Sequence, residues 1–244
     1  MTDFFDKAQE TTSAFPITSD VSLQNMLETE NRLKGRVMRS MRPKEPVAFE
    51  FTKDKGYLQQ YYVLRELEFW RTHKTQPLTA QEDAYDSKSN ILVARIGNKC
   101  VGGVRLTHSS PRTNSLLPLE TEDFRLAKVF PEIEHKQLKY GQFSGMVLST
   151  EFRGGDVTRQ MFLHLYRKVC ALGIKIVFAA TPISNAKAYK LNCSALGISN
   201  THIVEGVDLP VNSKEGVLKH YLIRGDIPDA DIFANQDSRV VEVL

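Results

Sequence analysis

The 244-residue chain has few cysteines and no long apolar segment, and these two absences exclude several classes of protein. Its three cysteines, Cys100, Cys170 and Cys193, are odd in number and widely spaced, which argues against a disulfide framework or a zinc site. The longest mostly apolar stretch, residues 173–183, is about half the length of a membrane span and contains Lys175 and Pro182. We therefore expect no transmembrane segment, no disulfide framework and no metal.

The amino terminus and the charge balance favour a cytoplasmic globular protein. The first residues, MTDFFDKAQETTSAF, carry acids where a secretory signal needs a basic start and an apolar run. The formal net charge is only +3, so nucleic-acid binding is the least favoured function. Apolar residues make up 41% of the chain and charged residues 25%, which is typical of soluble globular domains.

The order of the predicted elements indicates one α/β domain with additional segments at both ends. Residues 1–45 are predicted to form an arm and a basic amphipathic helix, residues 46–225 the domain, and residues 226–244 a polar tail. Strands are predicted at 47–52, 91–96, 101–107, 143–150, 174–180 and 219–224, and helices at 54–73, 121–129, 158–172 and 185–196. Strands and helices in this order indicate a mixed sheet with helices packed on it.

A glycine-rich turn joins the fourth predicted strand to the helix that follows. Gly154 and Gly155 let the backbone approach a ligand, and the start of the helix offers unpaired N–H groups to an anion. Arg153 adds a planar cation that suits a phosphate. The turn is a candidate site for the pyrophosphate of coenzyme A or the single phosphate of a phosphopantetheine arm. The alternative is a tight turn with a solvent-facing arginine.

Residues 147–198 resemble the acyl-donor half of the GNAT acyltransferase superfamily. In that family the fourth strand splays from the fifth and is followed by a loop of the form Arg/Gln-x-x-Gly-x-Gly/Ala, which here reads Arg153-Gly154-Gly155-Asp156-Val157-Thr158. The resemblance implies a mixed, mostly antiparallel twisted sheet with a splayed fourth strand and helices on both faces. Asp156 and Thr158 replace the small residues of the pattern. A carrier-protein arm, with one phosphate, asks less of such a loop than coenzyme A does.

The helix after the fifth strand adds two residues to this resemblance. In the family, an Asn at the position of Asn185 contacts the pantetheine, and a Tyr at the position of Tyr189 can protonate the leaving thiolate. The resemblance implies the same roles here, together with backbone N–H groups near Val147 and Leu148 as oxyanion donors. A Tyr on a core helix is otherwise more often a packing residue, so that alternative stays open for Tyr189.

A more specific resemblance lies upstream of the donor loop. Three segments resemble the autoinducer-synthase-like branch of GNATs: Gln81-Glu-Asp-Ala-Tyr-Asp86, Val101-Gly-Gly-Val-Arg105-Leu106 and Leu117-Pro-Leu-Glu120. This branch includes LuxI-type acyl-homoserine-lactone synthases, N-acyl amino acid synthases and exosortase-associated acyltransferases. Its upstream helix carries an Arg and aromatic residues, which Arg65, Phe69 and Trp70 match. The resemblance covers about residues 49–198.

Charged residues in these segments suit the recognition of a small amine. Asp83 and Asp86 lie three residues apart, so on a turn both can face a bound ammonium or an arginine. Arg105, on a predicted core strand, can pair with them or hold a substrate carboxylate through two hydrogen bonds. The alternative is that these three residues and Arg65 form an ion-pair cluster that orders the loop, and both can be true.

One segment departs from the LuxI pattern and bears on the acceptor. LuxI-type enzymes usually carry Glu-x-Ser-Arg on the strand before the donor loop, where this chain has Gln142-Phe143-Ser144-Gly145. A glutamine cannot act as a carboxylate base, and a glycine offers no guanidinium. The resemblance therefore does not support S-adenosylmethionine as the acceptor, and an amino acid or another amine is favoured.

The function that these features imply is N-acyl transfer from a phosphopantetheine thioester to an amine. Acyl carrier protein or acyl-CoA would be the co-substrate, the acyl group would be a fatty acyl chain of unspecified length, and no cofactor would be tightly bound. The candidates for the general base are His108, Glu120 and Glu151. The other expected site residues are Arg65, Trp70, Asp83, Asp86, Arg105, Gln142 and Ser144. Two alternatives are a non-catalytic GNAT-fold sensor of acyl thioesters and a short-chain acetyltransferase.

The basic half of the amino-terminal helix, residues 32–44, can dock an acidic acyl carrier protein by charge steering, or it can be a solvated face. Reversing Arg36, Arg39 and Arg42 to Glu should slow turnover with a carrier-bound donor and spare acyl-CoA, since only the former presents an acidic protein surface. Steady-state rates with both donors test this expectation. An equal loss with both donors would contradict docking through this helix.

Overall fold

The computed structural model describes residues 46–73, 80–153, 155–195, 200–213 and 218–228. The predicted amino-terminal helix, and the predicted tail beyond residue 228, lie outside these residues. The described residues form a seven-stranded sheet in the order β1-β2-β3-β4-β5-β7-β6. The strands are β1 (Ala48–Phe51), β2 (Asn90–Ile96), β3 (Lys99–Ser109), β4 (Tyr140–Leu148), β5 (Ile176–Pro182), β6 (Thr201–Val204) and β7 (His220–Asp226).

Five α-helices accompany this sheet in the described part of the chain. They are α1 (Lys55–His73), α2 (Leu126–Val129), α3 (Glu132–His135), α4 (Asp156–Ala171) and α5 (Ile183–Ala195). Short 3₁₀ turns lie at Thr150–Phe152 and Pro210–Ser213. None of the helices described here combines the length and the apolar character that crossing a bilayer requires.

Most predicted elements are present, and two differences have local causes. The helix predicted at 121–129 is replaced by the two single-turn helices α2 and α3, which are separated at Pro131. Strand β6 was not predicted, because four residues at the edge of a sheet are too few to show a period-two pattern. The predicted hairpin at Gly97 is confirmed, and Gly97 has a φ of +54°.

The alternation of side chains along the strands builds a core on each face of the sheet. On one face, Leu106 and Phe143 pack with Phe162 and Tyr166 of α4. On the other face, Tyr61 and Tyr62 of α1 pack against Ile91, Val93 and Val147, and a further cluster forms around Tyr140, Phe178 and Leu222. Helices therefore cover both faces of a mostly antiparallel mixed sheet, and the fold-class prediction is confirmed.

Strands β4 and β5 are the parallel pair in this sheet, and they pair over a short length. The registered pairs are Tyr140↔Ile176, Gly141↔Val177 and Gln142↔Phe178. Strand β4 continues to Leu148 along β3, while β5 continues to Pro182 along β7. The described strands therefore part after Gln142, which is the splay that the sequence resemblance implied.

A bulge in β4 lies just after this point of separation. Gly103 faces Val147 and Arg105 faces Ser144, so β4 uses one more residue than β3 between these pairs. Gly145 occupies the extra position with a φ of +60°, in the left-handed region that favours glycine. The buried Tyr61 donates its hydroxyl hydrogen to the Gly145 carbonyl oxygen at 2.8 Å, which fixes the bulge against α1.

Replacing Gly145 with Ala should destabilise the fold more than the same change at Gly173. A Cβ at Gly145 would lie 2.6 Å from the Tyr61 hydroxyl oxygen, whereas nothing lies within 4 Å of one at Gly173, whose φ is also positive at +67°. Left-handed strain alone costs about 1 kcal/mol, and the clash adds roughly 1–3 kcal/mol at Gly145. Urea unfolding of both variants measures the difference, and equal losses would show that the contact with Tyr61 is unimportant.

Candidate active site

The predicted charged cluster is present, and Arg105 lies at its centre. Arg105 is in β3 and only 5% exposed, on the sheet face that α1 covers. Its Nη1 donates to both carboxylate oxygens of Asp83, at 2.5 and 2.6 Å, and to Asp86 Oδ1 at 2.8 Å. Its Nε donates to Ser144 Oγ on the neighbouring strand at 3.0 Å. The cluster therefore joins the 81–89 loop to the two central strands.

Arg65 of α1 contributes the second cation of this cluster. Its Nη1 and Nη2 donate to the two oxygens of Asp86, at 3.1 and 3.0 Å, in a bidentate arrangement. Its guanidinium lies 5.2 and 5.0 Å from the ring centroids of Tyr61 and Tyr62, within range of cation–π attraction. The Asp86 carboxylate has no exposed surface and also accepts a hydrogen bond from the Asp83 backbone N–H at 2.9 Å. The ion-pair interpretation of these residues is confirmed.

The two carboxylates of the cluster, Asp83 and Asp86, differ in their exposure to solvent and therefore in the roles that they can have. The Asp83 side chain is 44% exposed, compared with 6% for Arg105 and 0% for Asp86. Burial alone would raise the pKa of Asp83, but the hydrogen bonds from Arg105 and the Tyr85 backbone N–H, together with the charges of Arg105 and Arg65, outweigh burial and hold the pKa below its usual value. Asp83 is therefore an ionised, accessible carboxylate with which a substrate ammonium can pair.

The open edge of β4 is the second part of the candidate site. The Ser149 N–H donates to the Val101 carbonyl of β3 at 2.8 Å, so strand alternation points the Val147 N–H toward β3 as well. Leu148 then points its N–H and carbonyl away from β3, toward the side where β5 has separated. Its carbonyl accepts a hydrogen bond from Arg153 Nε at 2.9 Å, in agreement with this direction. Of the two expected oxyanion donors, Leu148 therefore faces the open edge and Val147 does not.

The donor loop differs from the expectation in the contacts of Arg153. Besides its hydrogen bond to Leu148, Arg153 pairs through Nη2 with the buried carboxylate of Glu68 in α1. Gly155 is the residue before α4, and Asp156 begins the helix with an exposed carboxylate. Thr158 is half-buried in the first turn of α4. The Arg153 guanidinium therefore contacts Leu148 and Glu68 of the protein itself, whereas the prediction was that it binds a phosphate of the donor.

Of three other predicted residues, Asn185 is described, whereas Gly154 and the side chain of Trp70 are not. Asn185 is exposed in the first turn of α5, as the predicted contact with a pantetheine requires. Gly154 lies outside the described residues. Trp70 belongs to α1, but its side chain also lies outside the description.

Two polar residues predicted as bases, His108 and Glu120, do not join the site. His108 lies three residues after Arg105 on a regular stretch of β3, so its side chain points to the opposite face of the sheet. Burial, and to a lesser extent the positive charge of Lys139, lowers the pKa of His108. Glu120 accepts backbone hydrogen bonds on both oxygens, from Leu117 at 2.9 Å and Leu126 at 2.8 Å. These placements correct the expectation that either residue lies beside the reacting groups as a base.

Gln142 and Tyr189 also have structural contacts. The Gln142 side-chain oxygen accepts a hydrogen bond from the Leu119 N–H at 2.9 Å, which holds the 117–120 turn against β4. Tyr189 is buried, and its ring lies 4.8 Å from that of Phe162 and 6.2 Å from that of Phe143. Burial raises the pKa of Tyr189 well above its ordinary value. These contacts favour the packing alternative for Tyr189.

Glu151, the third candidate base, is exposed just beyond β4.

Sequence reasoning missed two residues of α1 that support the site. Tyr61 holds the bulge at Gly145, and Glu68 holds Arg153. With Arg65 between them, they follow a spacing of four and three residues, which places all three on one helix face. That spacing was the available signal, because a polar stripe on the buried side of a helix predicts contacts with groups on the sheet.

A cavity of about 610 Å³ lies apart from these residues, beside β6, β7 and the start of α5. Its lining includes Ile183, Glu205, Asp208, Lys219 and His220. None of the predicted site residues lines it. Among the described residues, no three His, Cys, Asp or Glu side chains converge as they would to hold a metal ion.

Comparison with known proteins finds similarity in structure alone. No protein-family model matches the chain, and no curated protein matches it in sequence. The ribosomal-protein-alanine N-acetyltransferase from Brucella melitensis superposes with a TM-score of 0.50 at 14% identity, over 74% of this chain and 99% of that one. This likeness shows the fold, which is that of the GNAT acyltransferases, as the sequence resemblance implied.

Two other solved structures are similar to the chain at lower scores. FeeM, an N-acyl amino acid synthase from uncultured soil microbes, gives a TM-score of 0.49 at 6% identity, over 76% of this chain and 93% of that one. The AHL synthase LasI gives a TM-score of 0.46 at 15% identity, over 74% of this chain and 88% of that one.

Removing the charge of Asp86 should destabilise the fold more than removing that of Asp83. Asp86→Asn leaves two largely buried arginines without their shared carboxylate, which typically costs about 3 kcal/mol. Asp83→Asn removes a solvent-screened partner, worth roughly 1 kcal/mol or less. Urea unfolding at neutral pH measures both. A larger loss for Asp83→Asn would contradict the assignment of Asp86 as the carboxylate that holds the two arginines.

Proposed function

We propose that this protein is an N-acyltransferase that moves an acyl group from a phosphopantetheine thioester to the amine of an amino acid or a related metabolite. The observation that carries the proposal is the separation of β4 from β5 after Gln142, which leaves the Leu148 N–H on an open strand edge, while Asp83 presents an accessible carboxylate on the sheet face that α1 covers. An extended pantetheine arm can add to such an edge, because it carries amide groups of its own. The GNAT fold of the chain supports the same reaction class.

The Leu148 N–H is the group that we assign to the thioester carbonyl. Attack by the amine forms the C–N bond and turns the carbonyl oxygen into an oxyanion, which a fixed backbone N–H stabilises. Collapse then breaks the C–S bond, so the thiolate leaves and takes a proton. The acceptor nitrogen loses two protons, one from the ammonium before attack and one after it, to a base for which Glu151 or a water molecule is available, since Glu151 is exposed just beyond β4. One of these protons goes to the leaving thiolate and the other to solvent.

Asp83 is the group that we assign to the acceptor. Its ionised and accessible carboxylate can hold a substrate ammonium, while the buried Arg105, Arg65 and Asp86 keep it in place. Because Asp83 is 44% exposed and Asp86 is fully buried, Asp83 is the carboxylate of this cluster that an added cation can reach. This arrangement supports an amine acceptor, and it gives Arg105 a positioning role in place of direct substrate contact.

Exposed apolar side chains on the two diverging segments support a fatty acyl donor. Met146 of β4, after the bulge, and Ile183, directly after β5, are each 41% exposed. They belong to the two diverging segments, where an acyl chain attached to the thioester would pass.

A product screen tests the reaction class directly. Purified protein is mixed with acyl-carrier-protein and acyl-CoA donors of two to sixteen carbons and with pooled amino acids and amines, and products are read by mass spectrometry. The proposal expects an acyl-amide that depends on enzyme, donor and acceptor. Binding of an acyl thioester without any product would instead indicate a sensor, and turnover of acetyl donors alone would indicate a short-chain acetyltransferase.

Substitution of Leu148 tests the assigned oxyanion donor. Leu148→Pro removes the N–H, and proline is tolerated at a strand edge where that N–H has no partner strand. We expect kcat to fall about 100-fold, as for other oxyanion donors. Leu148→Ala is the matched control, because it loses the same buried side chain but keeps the N–H. Equal losses of kcat in the two variants would remove the Leu148 N–H from the mechanism.

A further inference from the structure

We propose that Arg153 positions the open edge of β4 for catalysis and does not bind the phosphate of the donor. The inference rests on the proposed function, because it concerns the same strand edge. Arg153 makes one hydrogen bond to the Leu148 carbonyl, at 2.9 Å, and an ion pair with Glu68 of α1. These contacts connect the donor loop, the end of β4 and helix α1.

The contact with Leu148 fixes the residue that carries the assigned N–H. In a strand, the N–H and the carbonyl of one residue point to the same side, so holding the Leu148 carbonyl also orients its N–H. The Ser149 N–H bond to Val101 fixes the following peptide to β3. Arg153 therefore restrains Leu148 on the side where β5 has separated.

The ion pair with Glu68 holds the Arg153 guanidinium in position. The Glu68 side chain is 7% exposed and the Arg153 side chain 48% exposed, so the pair joins a buried carboxylate to a guanidinium at the surface. Moving Arg153 to a phosphate would leave the Glu68 charge buried with less compensation, which is unfavourable. Glu68 also neutralises the cation that an incoming phosphate would otherwise meet.

The same helix links this pair to the acceptor cluster. Glu68 and Arg65 lie three residues apart on one face of α1, and Arg65 holds Asp86 through two hydrogen bonds. Asp86 in turn accepts a hydrogen bond from the Asp83 backbone N–H, so adjacent turns of one helix hold the donor edge and, through Asp86, the residue assigned to the amine. A donor and an acceptor bound at these two places would keep a fixed separation, as aminolysis requires.

Donors that differ in phosphate content separate positioning from phosphate binding. The assay compares acyl-CoA, acyl-phosphopantetheine and phosphate-free acyl-pantetheine with wild-type protein and with Arg153→Met. Positioning predicts that kcat falls by about 10- to 100-fold with all three donors, as for other small misplacements of reacting groups. Phosphate binding predicts that KM rises for the phosphorylated donors alone, and that result would overturn the inference.

Two further variants provide the controls. Arg159→Met removes the same charge one turn into α4, where Arg159 pairs with Asp156 at 3.9 Å, and should leave the rate with acyl-pantetheine within about twofold, as is usual for surface substitutions. Glu68→Gln should lower kcat in the same direction as Arg153→Met, and the double variant should lose less than the product of the two effects. Independent, multiplying losses would contradict action through the pair.

Hydrogen exchange tests the inference without turnover. In Arg153→Met, backbone amides of residues 146–149 should exchange faster than in wild type, while those of β2 and β7 should not change. Unchanged exchange at 146–149 would overturn the positioning role. Absence of amide product from every donor would count against the proposed function, and the exchange result would still decide the role of Arg153.

Discussion

Strand β4 pairs with both β3 and β5 as far as Gln142, and with β3 alone after Gln142. The candidate site depends on this loss of one neighbouring strand. Backbone N–H and carbonyl groups need hydrogen-bond partners, so an unpaired edge in the middle of a sheet either meets solvent or accepts a ligand. Here the Leu148 carbonyl is satisfied by the Arg153 side chain. The Leu148 N–H is left facing the space from which β5 has turned away.

The bulge at Gly145 allows β4 to separate from β5 without leaving β3. One extra residue in β4 shifts the register between Gly103 and Arg105, and the left-handed glycine accommodates the bend. The Tyr61 hydroxyl bonds the Gly145 carbonyl, so helix α1 fixes the bulge. The departure from the LuxI pattern at Gly145 thus has a local reason, because a side chain at this position would meet Tyr61.

Helix α1 also joins the two halves of the site. Tyr61, Arg65 and Glu68 face the sheet and contact, in turn, the bulge, the buried Asp86 and the donor-loop Arg153. The buried charges are paired with one another, which reduces the cost of removing them from water. Their common effect is to present one accessible carboxylate, Asp83, on the same helix-covered face as the bulge.

The sequence predicted the architecture and part of the site, for reasons that differ by element. Glycines, prolines and apolar alternation marked most strands and helices, and the short β6 escaped because it is an edge strand of four residues. The pairing of Asp83, Asp86, Arg65 and Arg105 was predicted as an alternative, since two aspartates three residues apart on a turn can both face an arginine, and Arg105 lies on a predicted core strand.

Other site assignments depended on information that a linear sequence does not display. The partner of Arg153 is Glu68, 85 residues away, so a cation beside a glycine-rich turn looked available for a phosphate. The position of His108 could have been predicted, because the two-residue period of β3 places its side chain and that of Arg105 on different faces of the sheet. Glu120 and Tyr189 are of residue types that often take part in catalysis. Tertiary packing determines that Glu120 accepts hydrogen bonds from backbone amides and that Tyr189 packs against aromatic rings of the core.

The most direct measurement of the central claim is the amide resonance of Leu148 in protein labelled with ¹⁵N-leucine. It is recorded with and without a stable analogue in which a methylene separates the sulfur of pantetheine from an acyl carbonyl. If the thioester carbonyl binds at the open edge of β4, the Leu148 amide proton should shift downfield, while leucines remote from that edge, such as Leu92 in β2, stay unchanged. Saturable binding of the analogue with no change at Leu148 would contradict the account.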